Sequence, residues 1–384
     1  MERSKDRPRQ SSSAPPRRSG RAERTRLKRL RRRRLIPLGI GLVIVAMTIA
    51  ITATYSGGRS EALGATSSTT LAATTSSTAP AVVDAAALAR SVKANEMGQV
   101  LVLMYHLIAH DKSEYNRTPE EFRQDLADLK ARGYYPVNLS DFATGNVQVP
   151  AGKTPVVITF DDSSGGQYRI NADGQLDPNC AVAIMQEMAG QGGWASRASF
   201  YPLIDVDAPD HVLFGQPELA QNKLQQLVAW GYEVGSHTVT HLNLQKAAVA
   251  EIKKQLYVSE HTLEQMIGGG YKVTSLAAPF GGYPAQISLL KSGEYQGKSY
   301  SYSTALKATG GASFSPFSQS FYAFKIPRIE VTGTTLKDAL AVFDKSPGLR
   351  YISDGDPDTV AVPASLDPSL GSVRTGLGEK VVRY

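Results

Sequence analysis

The stretch "VVITFDDSSGG", Val156–Gly166, decides how this chain is read. Five mostly β-branched or aromatic residues run straight into two aspartates, then into serines and glycines. An apolar run of this kind reads as a buried strand, and a carboxylate near apolar surroundings costs free energy unless a partner compensates. One acid at a strand end can begin a turn, whereas two side by side suggest separate tasks. Successive side chains on an extended strand point to opposite sides, so Asp161 and Asp162 are expected to face different ways.

Outward from this strand the pattern alternates. "VLVLMYH" (100–106), "ASFYPLI" (198–204), "YEVGSH" (232–237), "VTSLAAPF" (273–280), "YSTALKA" (302–308) and "FKIPRIEV" (324–331) read as further strands. Between them lie helical segments. "TPEEFRQDLADLKARG" opens with a capping box, Thr118 and Glu121, carries Pro119 at its first position, and shows an apolar stripe of Phe122, Leu126 and Leu129. "DPNCAVAIMQEMAG" is expected to be capped by Asp177, and Val249, Ile252, Leu256, Leu263 and Met266 share a face of the long helix after residue 247. Strands alternating with helices predict an α/β fold with a parallel sheet, open or closed into a barrel. Sites in such folds gather at the C-terminal ends of the strands. Here those ends carry Tyr105 and His106, Asp161 and Asp162, His237 and His241, and "APFGGYP".

The net charge of +7 is unevenly spread: residues 1–34 hold 15 Lys or Arg against 3 acids, and the rest of the chain is net −5. The 21 uncharged residues Leu35–Tyr55 match the roughly 20 needed to cross a bilayer. Basic residues before them keep the N-terminus cytoplasmic. The expected organisation is a basic cytoplasmic tail (1–34), a transmembrane signal anchor (35–55) and a Ser/Thr/Ala-rich linker (56–96). A catalytic domain (97–335) and a C-terminal appendix (336–384) follow. Everything after the anchor is expected outside the membrane. The negative charge of that part argues against nucleic acid as a partner. Cys180 is the only cysteine, which excludes an intramolecular disulfide.

His237 and His241 are four residues apart, so one turn can present both to one cation. Two histidines and a carboxylate with water in the fourth place suit a divalent metal, zinc first, with nickel, cobalt or iron as alternatives. Such a site activates water, and a carboxylate off the metal accepts the proton. The same H-x-x-x-H spacing also describes an ordinary polar turn.

"TFDD" after one strand, "HTVTH" after a second and a proline-aromatic-glycine turn after a third together resemble the polysaccharide deacetylases of carbohydrate esterase family four, over residues 97–335. The resemblance implies a distorted (β/α) barrel that removes acyl groups from amino sugars of polysaccharide or peptidoglycan with a divalent metal. It implies Asp161 as general base, Asp162, His237 and His241 as metal ligands, and Pro279 and Phe280 as groove residues. The chain departs from the family pattern at Ser163, where glycine is usual, and at Ala277, where an arginine that orients the base is usual. No histidine follows His241 except His261, which falls mid-helix. A circularly permuted subgroup resembling poly-N-acetylglucosamine deacetylases moves the acid to the first strand, which implies His106, with Tyr105 beside it on the substrate side. Arg328 in "IPRIEV" is a candidate to tune a carboxylate, while His110 and His211 read as loop residues. An O-acetyl esterase on the same site and an inactive wall-binding module stand as alternatives.

Overall fold

The computed structural model describes residues 84–111 and 113–384; the basic tail, the apolar span and the linker up to residue 83 lie outside the described residues. Among the described residues no helix is long and apolar enough to cross a membrane. Strands form at Leu101–Tyr105 (β1), Tyr134–Val137 (β2), Thr154–Asp161 (β3), Ser199–Tyr201 (β4), Glu233–Val234 (β5), Ser275–Ala277 (β6), Thr304–Leu306 (β7) and Ile329–Glu330 (β8).

These strands are parallel and nearly close on themselves. β1 pairs with β8 on one side and with β3 on the other. The far edge of β3 is shared, its first half by β2 and its second by β4, and β4 then pairs with β5. Parallel bridges carry the ring onward, from Ser236 to Leu276 in β6 and from Leu306 in β7 to Ile326, three residues before β8. With β6 and β7 paired, the ladder returns to its start as an uneven barrel.

Alternation along β3 explains its continuous apolar run. Val156, Ile158 and Phe160 face outward with Leu101, Leu103 and Tyr105 to meet Phe122, Leu126 and Leu129 of the helix Pro119–Ala131. Val157 faces inward with Val102, Tyr201, Ala277, Leu306 and Ile326. A strand buried on both faces needs no polar side. The helix starts where the sequence places it, with Thr118 Oγ1 accepting from Glu121 N and Glu121 Oε2 accepting from Thr118 N. Each fully buried side chain of its stripe contributes roughly 1.5–3 kcal/mol.

Four expectations are corrected. The linker does not run to residue 96: Asp84 caps a helix, Ala85–Val92, through Ala86 N and Ala87 N, and small side chains let it pack beside Ala361. The segment 336–384 is not an appendix, because Tyr351, Val360 and Val362 complete the inner core beneath the barrel. Thr154 Oγ1 donates to Tyr351 O at 2.7 Å, fastening that segment to the start of β3. Asp177 accepts from Asn179 N in a turn, and the helix itself begins at Ala181. Val249 is exposed at the first turn of its helix, and Ile267 joins the buried face at the last.

Glu96 lies in this lower core. Burial and the neighbouring Asp354 charge lift its carboxyl from 4.5 to about 8, against hydrogen bonds from Ala361 N and Tyr351 OH. The folded state therefore holds a proton that the unfolded chain releases near its ordinary value, and stability falls as pH rises between the two. The melting temperature is expected to drop from pH 5 to pH 8, and Glu96→Gln to flatten that slope. A Glu96→Gln protein with the parent's slope would refute the assignment.

Candidate metal and active site

Asp161 is the last residue of β3 and keeps the inward parity of Val157 and Thr159. Asp162 then adopts φ 69° and Ser163 φ 47°. This left-handed turn ends the strand alternation, so both aspartates face one cavity rather than opposite sides as expected. Positive φ costs a non-glycine residue about 1–2 kcal/mol, which accounts for glycine as the usual residue at 163. Here the serine hydroxyl compensates: it donates to His211 O at 2.7 Å and accepts from Leu203 N at 3.0 Å, while Ser163 O accepts from Phe214 N at 3.0 Å.

His237 and His241 follow β5 in a loop held by Gln255, whose Oε1 accepts from Val239 N and Thr240 N. His237 Nδ1 lies 2.8 Å from Ala277 O; a carbonyl only accepts, so Nδ1 carries the proton and Nε2 presents its lone pair. The ligand atoms of Asp162, His237 and His241 all lie within 4.8 Å of one another. Asp162 Oδ1 is 3.2 Å from His237 Nε2 and 3.5 Å from His241 Nε2. That oxygen is buried with no hydrogen bond of adequate geometry. An orphaned carboxylate oxygen between two imidazole nitrogens is a donor set that fits a divalent cation.

The electrostatics agree. Burial raises the Asp162 carboxyl, but His237 and His241 outweigh it and hold it well below the usual carboxylate range. Burial lowers His237, yet Asp161 and Asp162 together raise it. Burial and the His237 charge lower His241 to about 4, which keeps its imidazole neutral. Asp161 is the counter-case. It is fully buried, which raises its pKa, and Arg328 more than reverses this.

Arg328 enters from the segment leading into β8. Its Nη1 and Nη2 donate to Asp161 Oδ1 and Oδ2 at 2.8 and 2.7 Å, with Nη1 also donating to Thr159 Oγ1 at 3.0 Å. Both members of the pair are almost completely buried. Ala277, where the resemblance places an arginine, is apolar and packed in the inner core, and Arg328 reaches Asp161 from the segment on the far side of β7. The site cavity, about 460 Å³, is lined by these residues with His106, Phe280, Glu330, His211 and Tyr115 among its walls. His106 Nδ1 is 3.6 Å from Glu330 Oε1.

Two expected wall residues are elsewhere. Tyr105 has the outward parity of Leu101 and Leu103; it is 1% exposed, and its hydroxyl donates to Asp125 Oδ2 at 3.2 Å. Pro279 is buried, and its neighbours Ala278 and Phe280 line the cavity. His261 stacks on Tyr257 in its helix and is not a cavity residue. Sequence reading missed Glu330, His211 and Tyr115. Glu330 was within reach, since it follows Arg328 at strand spacing; the other two lie on loops without periodicity. His211, read as an ordinary loop residue, is brought to the cavity by the Ser163 contacts.

An α/β barrel with an Asp-His-His donor set at its rim is a scaffold suited to metal-assisted chemistry. Residues 148–297 match the family model described as polysaccharide deacetylase, so over this segment the chain is similar to that family. The matched segment contains Asp161, Asp162, His237 and His241 but neither His106 nor Arg328. Among solved structures, a polysaccharide deacetylase from Bacillus cereus, BC0361, is similar at 21% identity, covering 64% of this chain and 68% of its own, with a TM-score of 0.48. IcaB from Ammonifex degensii is similar at 19% identity, covering 64% and 97%, with a TM-score of 0.48. The Streptococcus pyogenes deacetylase PplD, in complex with acetate, is similar at 20%, covering 63% and 97%, with a TM-score of 0.46. No curated protein matches the chain.

Removing one partner of a buried ion pair typically costs 3–5 kcal/mol because the other charge is left unpaired. Arg328→Met is expected to destabilise the protein by about that amount in chemical denaturation. Adding Asp161→Asn in the same chain should recover much of the loss. An Arg328→Met protein with the parent's denaturation midpoint would show that the pair is not holding the site.

Proposed function

We propose that the protein is a divalent-metal-dependent deacetylase, removing N-acetyl groups from amino sugars of a polysaccharide or peptidoglycan. The observation that carries this reading is the convergence of Asp162, His237 and His241 beside a second, separately paired carboxylate, Asp161. The polysaccharide deacetylase match over the same residues supports it. In the full chain, the uncharged span Leu35–Tyr55 would anchor the enzyme with its catalytic domain outside the membrane.

Asp162, His237 and His241 would hold the cation, zinc being the first choice for this donor set, with nickel, cobalt and iron as alternatives. Bound there, the metal would supply Lewis acidity toward the acetyl carbonyl and its attacking water. Asp161 takes the proton of that water. Its Arg328 contacts keep it ionised and fix both oxygens, so it stays ready to accept. As the carbon–nitrogen bond breaks, His106 gives a proton to the departing nitrogen, leaving acetate and a free amine. Glu330 Oε1, 3.6 Å from Nδ1, is placed to orient the ring for this transfer. Phe280, 66% exposed and 4.4 Å from the His241 ring, borders the substrate's entry, and the backbone N–H near it is the candidate donor to the developing oxyanion. The inactive-module alternative drew on the missing arginine at Ala277, and the pairing of Arg328 with Asp161 counts against it.

The roles separate under substitution. Asp161→Asn is expected to retain one equivalent of metal by elemental analysis while acetate release from N-acetylated oligosaccharide falls by about 10²–10⁴. His237→Ala should lose the metal itself. Retained turnover in Asp161→Asn, or retained metal in His237→Ala, sinks the respective assignment.

A further inference from the structure

The metal cluster and its proton-transfer partners leave two large side chains at the same cavity unexplained by structural need. Phe280 and Tyr115 are 66% and 49% exposed. Both line the cavity, and aromatic side chains are typical of the walls of ligand pockets. The two lie on opposite sides of the barrel mouth. Tyr115 belongs to the excursion after β1 and meets the His106 ring edge-on, with centroids 5.8 Å apart. Phe280 follows β6, which is reached from β1 only through β3, β4 and β5 one way, or β8 and β7 the other.

Tyr115 is held by a built frame. Leu107 and Ile108 pair with Asn116 and Arg117. Arg117 Nε donates to Asp125 Oδ2 at 3.0 Å, and Asp125 also accepts from the Tyr105 hydroxyl. The backbone at Ile108 presses so closely on Gly166 that a Cβ there would fall 1.8 Å from Ile108 O. Tyr105 therefore does not touch substrate; it braces the excursion whose tip presents Tyr115.

We infer that Tyr115 is a substrate-binding residue, which together with Phe280 grips neighbouring pyranose rings on either side of the acetamide under attack. This deepens the deacetylase reading and rests on it for the identity of the reacting group. A pyranose has apolar C–H faces and a polar rim. The cavity matches that division, with Tyr115, Phe280, Met104, Leu107, Ala278 and Ala308 as apolar wall, and His211 and Glu330 as polar partners. A single sugar can occupy only the reacting position, whereas a chain engages both aromatics. The enzyme is thus built for internal units of an N-acetylated hexosamine chain rather than for free monosaccharide.

The test compares Tyr115→Ala with the parent, as full chains loaded with zinc, on N-acetylglucosamine and its β-linked tetramer. The tetramer's advantage in kcat/KM is expected to fall about tenfold, through KM, and Tyr115→Trp to restore it. Equal losses on both substrates would show that Tyr115 only orients His106, and no loss would remove it from the site; either result overturns the inference. Calorimetric binding of the deacetylated tetramer separates the two readings. If the parent releases no acetate, the deacetylase reading fails, while weaker tetramer binding by Tyr115→Ala still upholds the aromatic grip. If the parent releases acetate and both proteins bind the tetramer equally, the grip fails alone.

Discussion

The pair between Asp161 and Arg328 is the constraint on which the rest depends. It joins β3 to the segment entering β8, reaching past β1, which lies between them in the sheet. Both side chains are almost completely buried, so each charge is tolerable because the other is in place. The consequence for chemistry is a division between two adjacent carboxylates. Asp161 has a permanent counter-charge and a fixed orientation. Asp162 has only two imidazoles and an unpartnered oxygen, which is the condition that calls for a cation.

Around this pair the rim of the barrel concentrates backbone strain. Asp162, Ser163, Leu213, Phe214, Thr238, His241 and Phe280 all have positive φ without being glycine. Such conformations cost on the order of 1–3 kcal/mol each and persist where surrounding structure over-determines them. The over-determination is visible. Ser163 is tied to three backbone groups, and Lys223 donates to the carbonyls of Tyr168 and Phe214 at 2.7 and 3.2 Å, bracing the two loops that meet there. Burial lowers that lysine's pKa to about 8, a sign of how completely it is enclosed. Three of these strained residues, Asp162, His241 and Phe280, line the cavity.

Much of this is legible in the order of the residues. The alternation of strand and helix, the capping box at Thr118 and the outward stripe of Phe122, Leu126 and Leu129 follow from local chemistry and period. The candidate metal donors are legible too, because H-x-x-x-H and a strand-end carboxylate bring their own spacing. The side chain of Tyr105 is within the same reach: if His106 faces the cavity at the end of β1, its neighbour faces the helices. The orientation of Asp162 is not, since positive φ at a non-glycine residue leaves no mark in composition.

The sequence by itself therefore determined the elements, their parity and the residue types that can ligate metal, because these depend on neighbours within a few positions. Only the tertiary structure decided what pairs with Asp161, that Tyr115 and His211 reach the cavity, and that residues 336–384 belong to the core. Those outcomes require contacts between segments distant in the chain, such as Asp161 with Arg328. They exist because the strands close into a ring, and ring closure is a property of all the pairings together rather than of any one stretch.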